Sequence, residues 1–327
     1  MIVLKIIFAL LLACFVTLLA LYFQALDRIG HARMQRRVGP PLMQGFYDFF
    51  KLMGKENITS RHAVSWMFNY APFFGLAATL MIFLYIPMGS VPAILSGHGD
   101  AITVMYLITT ASICTAMAAF ASGSPIANIG AQREIVLMMS FEVPTAIVIS
   151  TVAWIISKAG VPSAPFDLNT YNAYPVWSMV GWLGFVGLVC FLIALLMVTP
   201  GESGTGIMDI AEAKTEILEG MTIEFSGMNL AVVNLSLTLR SIAFSAFIVS
   251  IFFPGSLISG APAIIRWPLD FIWFWFKVLC TSLVGVTYLR TNFGRLKIWQ
   301  ASRFYWFYVG VLSLAGMILV TAEVALR

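Results

Sequence analysis

Apolar residues in this chain run in long, nearly unbroken blocks. Eight blocks approach the roughly 20 residues a helix needs to cross a hydrocarbon layer: 3–25, 66–88, 101–121, 134–156, 176–198, 231–253, 268–289 and 304–325. The pattern predicts an all-α, polytopic membrane protein of about eight transmembrane helices, a single integral membrane domain over 1–327. The first block is uncharged from Ile6 to Phe23, longer than a signal-peptide core, with no small-residue cleavage site after it; it is expected to remain as a span. A different period appears at 42–53, where Phe46, Phe49, Phe50 and Met53 fall at i, i+3, i+4 and i+7 while Gln44, Asp48 and Lys51 point elsewhere. That segment reads as an amphipathic helix, too short to span, lying along the cytoplasmic interface or flooring a docking site for a soluble partner.

Composition excludes a soluble domain: 60% of the 327 residues are hydrophobic, 10% are charged and the mean hydropathy is +0.91, against about 25% charged in soluble proteins. Cys14, Cys114, Cys190 and Cys280 sit in apolar runs without CxxC spacing, so they build neither a disulfide framework nor a metal site. His31 and His62 share one polar loop and His98 lies in another, leaving no intramembrane imidazole pair for a haem. There is no P-loop, GxGxxG, HExxH or GxSxG, so the chain alone is not expected to catalyse covalent chemistry.

With charge this scarce, its placement becomes informative. With the connections numbered one to seven, the odd ones carry Arg28, Arg33, Arg36, Arg37, Lys51, Lys55, Arg61, Arg133, Lys214, Arg290, Arg295, Lys297 and Arg303. The even connections and the termini carry Lys5, Lys158, Arg266 and Arg327. The positive-inside rule then places the odd loops in the cytoplasm and both termini outside the cell membrane. Loop one, over 26–65, is the most basic; it reads as an anchor beside anionic headgroups or, with Arg33, Arg36, Arg37 and Arg133, as a surface that docks partners.

Loop five, over 199–230, reverses the sign on that face, with Glu202, Asp209, Glu212, Glu216, Glu219 and Glu224 against Lys214. On a helical wheel Asp209, Glu212, Glu216 and Glu219 would fall within about 80°. Such a stripe is a solvated acidic face, the wall of a wet cavity whose carboxylates raise one another's pKa, or the complement of a basic partner. Within the spans, Glu142 lies near the middle of the fourth, with Arg133 and Glu134 at its cytoplasmic end; Glu134, Met138 and Glu142 make one helical stripe, and Pro144 frees a backbone group beside it. A central charge costs roughly 2.5–3.5 kcal/mol on insertion scales and marks a cavity or proton path more often than a structural need. Lys277 in the seventh span has Asp270 on its own face as a candidate partner, and Arg240 is read as an interfacial, snorkelling side chain or a buried one.

Arg33-Met34-Gln35-Arg36-Arg37-Val38-Gly39-Pro40 and Lys51-Leu52-Met53-Gly54-Lys55-Glu56 resemble the first cytoplasmic loop of membrane subunit 1 of respiratory complex I and its relatives. The resemblance continues through Ile129-Gly130-Ala131-Gln132-Arg133-Glu134, Glu142-Val143-Pro144, Asp209-Ile210-Ala211-Glu212-Ala213 and Glu224-Phe225-Ser226-Gly227. Within that superfamily the chain looks most like the anchor subunit of energy-converting (group 4) membrane-bound NiFe hydrogenases, including formate hydrogenlyase-type complexes. Where complex I members carry Asn-Arg-x-Pro-Phe-Asp, this chain reads Gly206-Ile207-Met208-Asp209, which puts quinone binding in question. The resemblance implies a subunit that anchors soluble Fe-S and hydrogenase-like subunits on the cytoplasmic side and works beside antiporter-like membrane subunits. It implies no cofactor in this chain, with Fe-S clusters and a Ni-Fe centre in the partners. The residues it assigns to proton or sodium coupling are Glu134, Glu142, Asp209, Glu212, Glu216, Glu219 and Glu224; the bilayer argument adds Lys277. A quinone-reducing complex I subunit and a secondary transporter using Glu142 and Lys277 are the competing readings.

Overall fold

The computed structural model describes residues 2–97, 99–161, 163–257 and 262–326; His98 and Arg327 lie outside them. Among the described residues, eight rods are long and apolar enough to span a membrane. They are α1 (Ile2–Met34), α3 (Ser65–Tyr85), α4 (Asp100–Ala121), α5 (Pro125–Lys158), α7 (Trp182–Ser203), α9 (Gly227–Phe252) and two composite rods. In the first of these, α10 (Ala263–Ser282) passes through a π-helical turn, Leu283–Tyr288, into α11 (Leu289–Asn292). In the second, α12 (Ile298–Arg303) passes through another, Phe304–Val309, into α13 (Gly310–Leu326). Three short helices join them: α2 (Gln44–Met53), α6 (Leu168–Ala173) and α8 (Lys214–Ile217). No strand forms among the described residues, and the protein is a multi-pass, all-helical membrane protein.

The hub is α9, whose apolar window is 89% enclosed, against 22% for α1. It packs against α1, α2, α3, α7 and α10, while α3 pairs with α4 and α7 with α13. Lipid tails are as apolar as leucine, so close packing rather than burial from water holds spans together. Small residues serve that purpose between α7 and α13: a Cβ on Gly187 would lie 2.8 Å from the Gly316 carbonyl oxygen, and one on Gly316 3.0 Å from that of Gly187.

Several rods outrun the apolar blocks that announce them. The 34-residue α5 is about 51 Å long at 1.5 Å per residue, well beyond a hydrocarbon core of about 30 Å. It starts at Pro125, whose fixed φ suits a first helical position, so Glu134 lies more than two turns inside the helix rather than at its end. Likewise α7 continues through Pro200 to Ser203, which puts Glu202 in the last turn of that helix rather than in loop five.

The helix expected at 42–53 forms as α2, rotated from the expected face: Gly45 is buried, Phe46 and Phe49 pack on the core, and Phe50 and Met53 are exposed. The cause is Gly45, where a Cβ would come within 2.4 Å of the Leu21 carbonyl oxygen; α1 and α2 meet there backbone to backbone.

Loop five departs furthest from expectation, because the helical stripe does not exist. The segment breaks into Gly206–Met208, α8 and Gly220–Thr222, with Leu218 and Glu219 both at positive φ. Carboxylates three and four apart repel in a helix, and the glycines at 204, 206 and 220 favour turns; each acid is delivered to a different environment.

Candidate functional site

Arg240, at the middle of α9 and 2% exposed, organises the interior. Its Nη2 donates to Glu134 Oε1 of α5 at 3.1 Å, its Nε donates to the Glu202 backbone oxygen of α7 at 2.6 Å, and its Nη1 donates to Ser112 Oγ of α4. The Glu202 Oε2 atom stands 3.8 Å from the same Nε. One guanidinium thereby ties four spans, and Glu134 and Glu202 are each 4% exposed. The snorkelling alternative for Arg240 is overturned: with α9 running from Gly227, the residue is nearly four turns from the end and walled by neighbours on every side.

Two turns along α5 from Glu134, Glu142 faces a small cavity of about 10 Å³ lined also by Thr109, Thr145, Glu202, Phe244 and Phe247, roughly enough for a single water. Glu202 thus touches both the arginine and the cavity of Glu142. The stripe anticipated on α5 is present, and the carboxylate that links its two members comes from α7.

Of the loop-five acids, Asp209 and Glu212 turn inward. Burial, followed by the charges of Asp209 and Glu134, pushes Glu212 up to about 8. Burial also raises Asp209, against the opposing pull of Arg295, Arg290 and Lys214. Glu212 Oε1, Asp209 Oδ1 and Arg295 Nη2 are buried without a hydrogen-bond partner. Outside them, Glu216 pairs with Arg133 at 2.6 Å, which holds its carboxyl below the usual range, and Glu219 pairs with Lys214 at 3.0 Å. Glu224 is half-buried and joins none of these pairs. A cavity of about 220 Å³, between the C-terminal part of α1 and the first half of α9, is lined by Asp27, Arg28, Ser203, Thr205, Glu212 and Arg290 among others. It brings polar space to Glu212 and to the last turn of α7, next to Glu202.

Lys277 does not belong to this chain of groups. Its Nζ donates to the Phe253 and Gly255 carbonyl oxygens at 2.6 and 3.2 Å, capping the far end of α9, about 20 Å along the axis from Arg240. Asp270, the expected partner, acts on Lys277 through its charge and makes no direct ion pair with it among the described residues. Asp270 accepts from Ser90 Oγ and the Leu257 amide and pairs with Arg266 one turn away at 3.4 Å. The free carbonyls at the α9 terminus attract the lysine instead.

On the basic face, Arg33, Arg36 and Arg37 are exposed at the tip of loop one, with Arg36 at φ 58°. Arg133 differs, being held by Glu216. Nearby, Asp27 receives Thr287 at 2.6 Å and Arg290 at 3.2 Å, while Arg28 meets Asp48 of α2 at 2.6 Å. The sequence alone leaves Arg240 undecided and does not promote Glu202 above the other acids of its loop. A signal for the first existed, a cation ten residues inside an apolar block. None existed for the second, because Thr199-Pro200-Gly201 reads as a helix end.

These features define an all-helical integral membrane protein with carboxylates and an arginine buried from one face towards the middle of a span. The chain belongs to the NADH dehydrogenase family, whose model matches residues 6–321. Formate hydrogenlyase subunit 4 of Escherichia coli is 26% identical over 91% of this chain and 93% of that protein. Hydrogenase-4 component C of the same organism is 27% identical over 76% of each. An NADH-quinone oxidoreductase subunit of Phocaeicola vulgatus is 26% identical over 89% of this chain and 81% of its own length. Among solved structures, a chain of the membrane-bound sulfane sulfur reductase, an archaeal respiratory membrane complex, superposes with a TM-score of 0.83 at 26% identity, covering 97% of this chain and 99% of that one.

Proposed function

We propose that this chain is the anchoring and coupling subunit of a redox-driven ion-pumping complex of the membrane-bound hydrogenase type. It docks soluble Fe-S and hydrogenase-like subunits on the cytoplasmic face, with both termini on the opposite side, and passes the effect of electron transfer to antiporter-like membrane neighbours. Fe-S clusters and a Ni-Fe centre reside in those partners. The observation that carries the reading is the continuity of ionisable groups: Glu212 beside a polar cavity, Glu134 and Glu202 on Arg240, and Glu142 on the cavity that Glu202 shares.

At neutral pH Glu212 holds its proton, since its carboxyl sits near 8. A negative charge arriving in a partner above the basic face raises its proton affinity further; removal of that charge lowers it. Arg240 holds Glu134 and Glu202 together, so a change at either carboxylate alters the hold on the other. Glu142 is the inner end of this sequence. Asp209 tunes Glu212 by its charge, Glu216 and Glu219 fix the loop through Arg133 and Lys214, and Glu224 extends the loop towards α9. Arg33, Arg36 and Arg37 meet the partner directly, and Arg133 acts through the loop-five segment it holds. Lys277 has a structural role as the cap of α9 in this reading.

The test is purification of the intact complex in mild detergent, with metal analysis. Co-purifying Fe-S and hydrogenase-like subunits, with nickel beside iron and hydrogen evolution, are expected. Iron without nickel, together with quinone reduction, would replace the hydrogenase-type reading by the quinone-reducing one that the NADH-quinone oxidoreductase relatives also support. A stable monomer that moves a solute by itself would replace both with a transporter.

A further inference from the structure

On the face opposite loop one, the even connections and the start of α10 enclose a hollow of about 440 Å³, lined by Ser90, Asn169, Asn172, Ser256, Arg266 and Trp267 among others. Buried Asp270 ties its frame together, accepting from Ser90 Oγ, from the Leu257 amide at 2.9 Å and from Arg266 Nε at 3.4 Å. Asn172 Nδ2 donates to the Gly89 carbonyl oxygen at 2.6 Å and Asn169 Oδ1 accepts from the Ala93 amide at 3.1 Å, so the turn at 88–91 is held to α6. Lys277 binds the Phe253 and Gly255 carbonyls and fixes the chain just before Ser256. The lining is therefore set before a ligand arrives, which lowers the ordering cost of binding.

What these bonds leave over defines the ligand. The Nη atoms of Arg266, Asn169 Nδ2, Asn172 Oδ1 and Ser256 Oγ have no hydrogen-bond partner among the described residues. The set holds donors, an acceptor and a hydroxyl that is both, and Asp270 offsets the charge of Arg266. An anion uses donors only and a hydrocarbon uses none, whereas a sugar, whose hydroxyls both give and accept, uses all of them. Exposed Trp267 adds an aromatic surface for the C–H side of a pyranose ring, and exposed Ile264 and Ile265 stand beside it on α10. We infer that this hollow binds the neutral sugar headgroup of a glycolipid in the leaflet opposite loop one, with the ring against Trp267 and its hydroxyls on Asn169, Asn172, Ser256 and Arg266. Its chains continue into the bilayer along the apolar surface of α10. Lys277, which the coupling groups do not use, serves here by holding the rim. The inference stands apart from the coupling reading, since it concerns the opposite face and none of the carboxylates around Arg240.

The test uses the intact complex, stripped of lipid by repeated detergent exchange and titrated with glucosyldiacylglycerol spin-labelled on one chain. The immobilised fraction of the label is measured. A saturable site per chain is expected, with phosphatidic acid and phosphatidylcholine of the same chains binding about tenfold more weakly, because they leave the amides and the hydroxyl unpaired. Methyl glucoside, the headgroup without chains, should displace the label only weakly. Ser256→Ala/Trp267→Ala should weaken binding roughly 20-fold, one hydrogen bond and one ring contact each being worth about a fivefold factor. Trp306→Ala, which removes an exposed tryptophan from the other composite rod, should leave binding unchanged. Binding of phosphatidic acid or phosphatidylcholine as tight as that of the glycolipid, binding of methyl glucoside as tight as that of the lipid, or equal weakening in the two variants would overturn the inference. If the Ser256/Trp267 variant fails to assemble, the lipid and sugar comparisons on the unmodified complex still decide.

Discussion

Arg240 is only 2% exposed, and its charge is matched inside the protein, by Glu134 at 3.1 Å and by the backbone and carboxylate of Glu202. Removing one member of a buried ion pair strands the others and costs about 3–5 kcal/mol, whereas removing the whole set with apolar or neutral groups is often near neutral. Arg240→Met is therefore expected to lower the melting temperature of the solubilised complex sharply. The triple variant Arg240→Met/Glu134→Gln/Glu202→Gln should regain most of that loss while remaining uncoupled. Recovery by Arg240→Lys alone would contradict the account, because a single ammonium cannot reproduce the fork that reaches three helices.

Glu212 gives a pH dependence of determinate sign. Its carboxyl is raised in the folded protein to about 8 from an ordinary 4.5, so the folded state binds a proton the unfolded chain has already released. Its ionisation therefore costs stability progressively as pH rises from about 4.5 to 8. Difference infrared spectra should show the C=O band of a protonated carboxyl at pH 6.5 that disappears by pH 9.5 and is missing in Glu212→Gln. That variant should also lose stability less steeply across the same interval. A band already absent at pH 6.5 would show that Glu212 is ionised like a surface acid.

At the scale of elements, the α7–α13 contact is the most demanding joint, because both backbones approach through glycine. Gly187→Leu would drive its side chain into Val320 and the Gly316 carbonyl. Overpacking of this kind costs typically about 1–3 kcal/mol, visible as a lowered melting temperature, and the smaller Gly187→Ala should cost less. Equal tolerance of both would show that the two helices separate freely. The elements themselves were legible wherever apolar length was the only requirement, and so all eight spans stand where the blocks announce them. Their ends were not, because helices such as α5 and α7 continue past the hydrocarbon through Arg133 and Pro200, where hydropathy falls but backbone hydrogen bonding does not. Loop five misled for a related reason. A wheel presumes a helix, and acids that repel beside three turn-forming glycines do not make one.

Across the whole molecule, the sequence identified Glu142 as an expensive charge and Glu134, Asp209 and Glu212 as candidate coupling carboxylates without saying how they meet. Meeting requires Arg240 and Glu202, from α9 and α7, far apart in the chain and joined only by tertiary packing. Lys277 carried the same hydropathic penalty as Glu142 and turned out to cap a helix, so cost alone does not identify a site. The assembled chain of groups runs from the basic face to the middle of α5, and its proposed purpose is to couple redox chemistry in the partners to ion movement.

That claim is tested most directly in proteoliposomes containing the complex with Glu142→Gln, which keeps size and hydrogen bonding but holds no exchangeable charge. Redox turnover and the accumulation of protons or sodium ions are followed together. A fully assembled complex is expected, whose electron transfer is slowed or persists without an ion gradient. Assembly with an unchanged ratio of ions moved to electrons transferred, at an unchanged rate, would contradict the coupling role of Glu142.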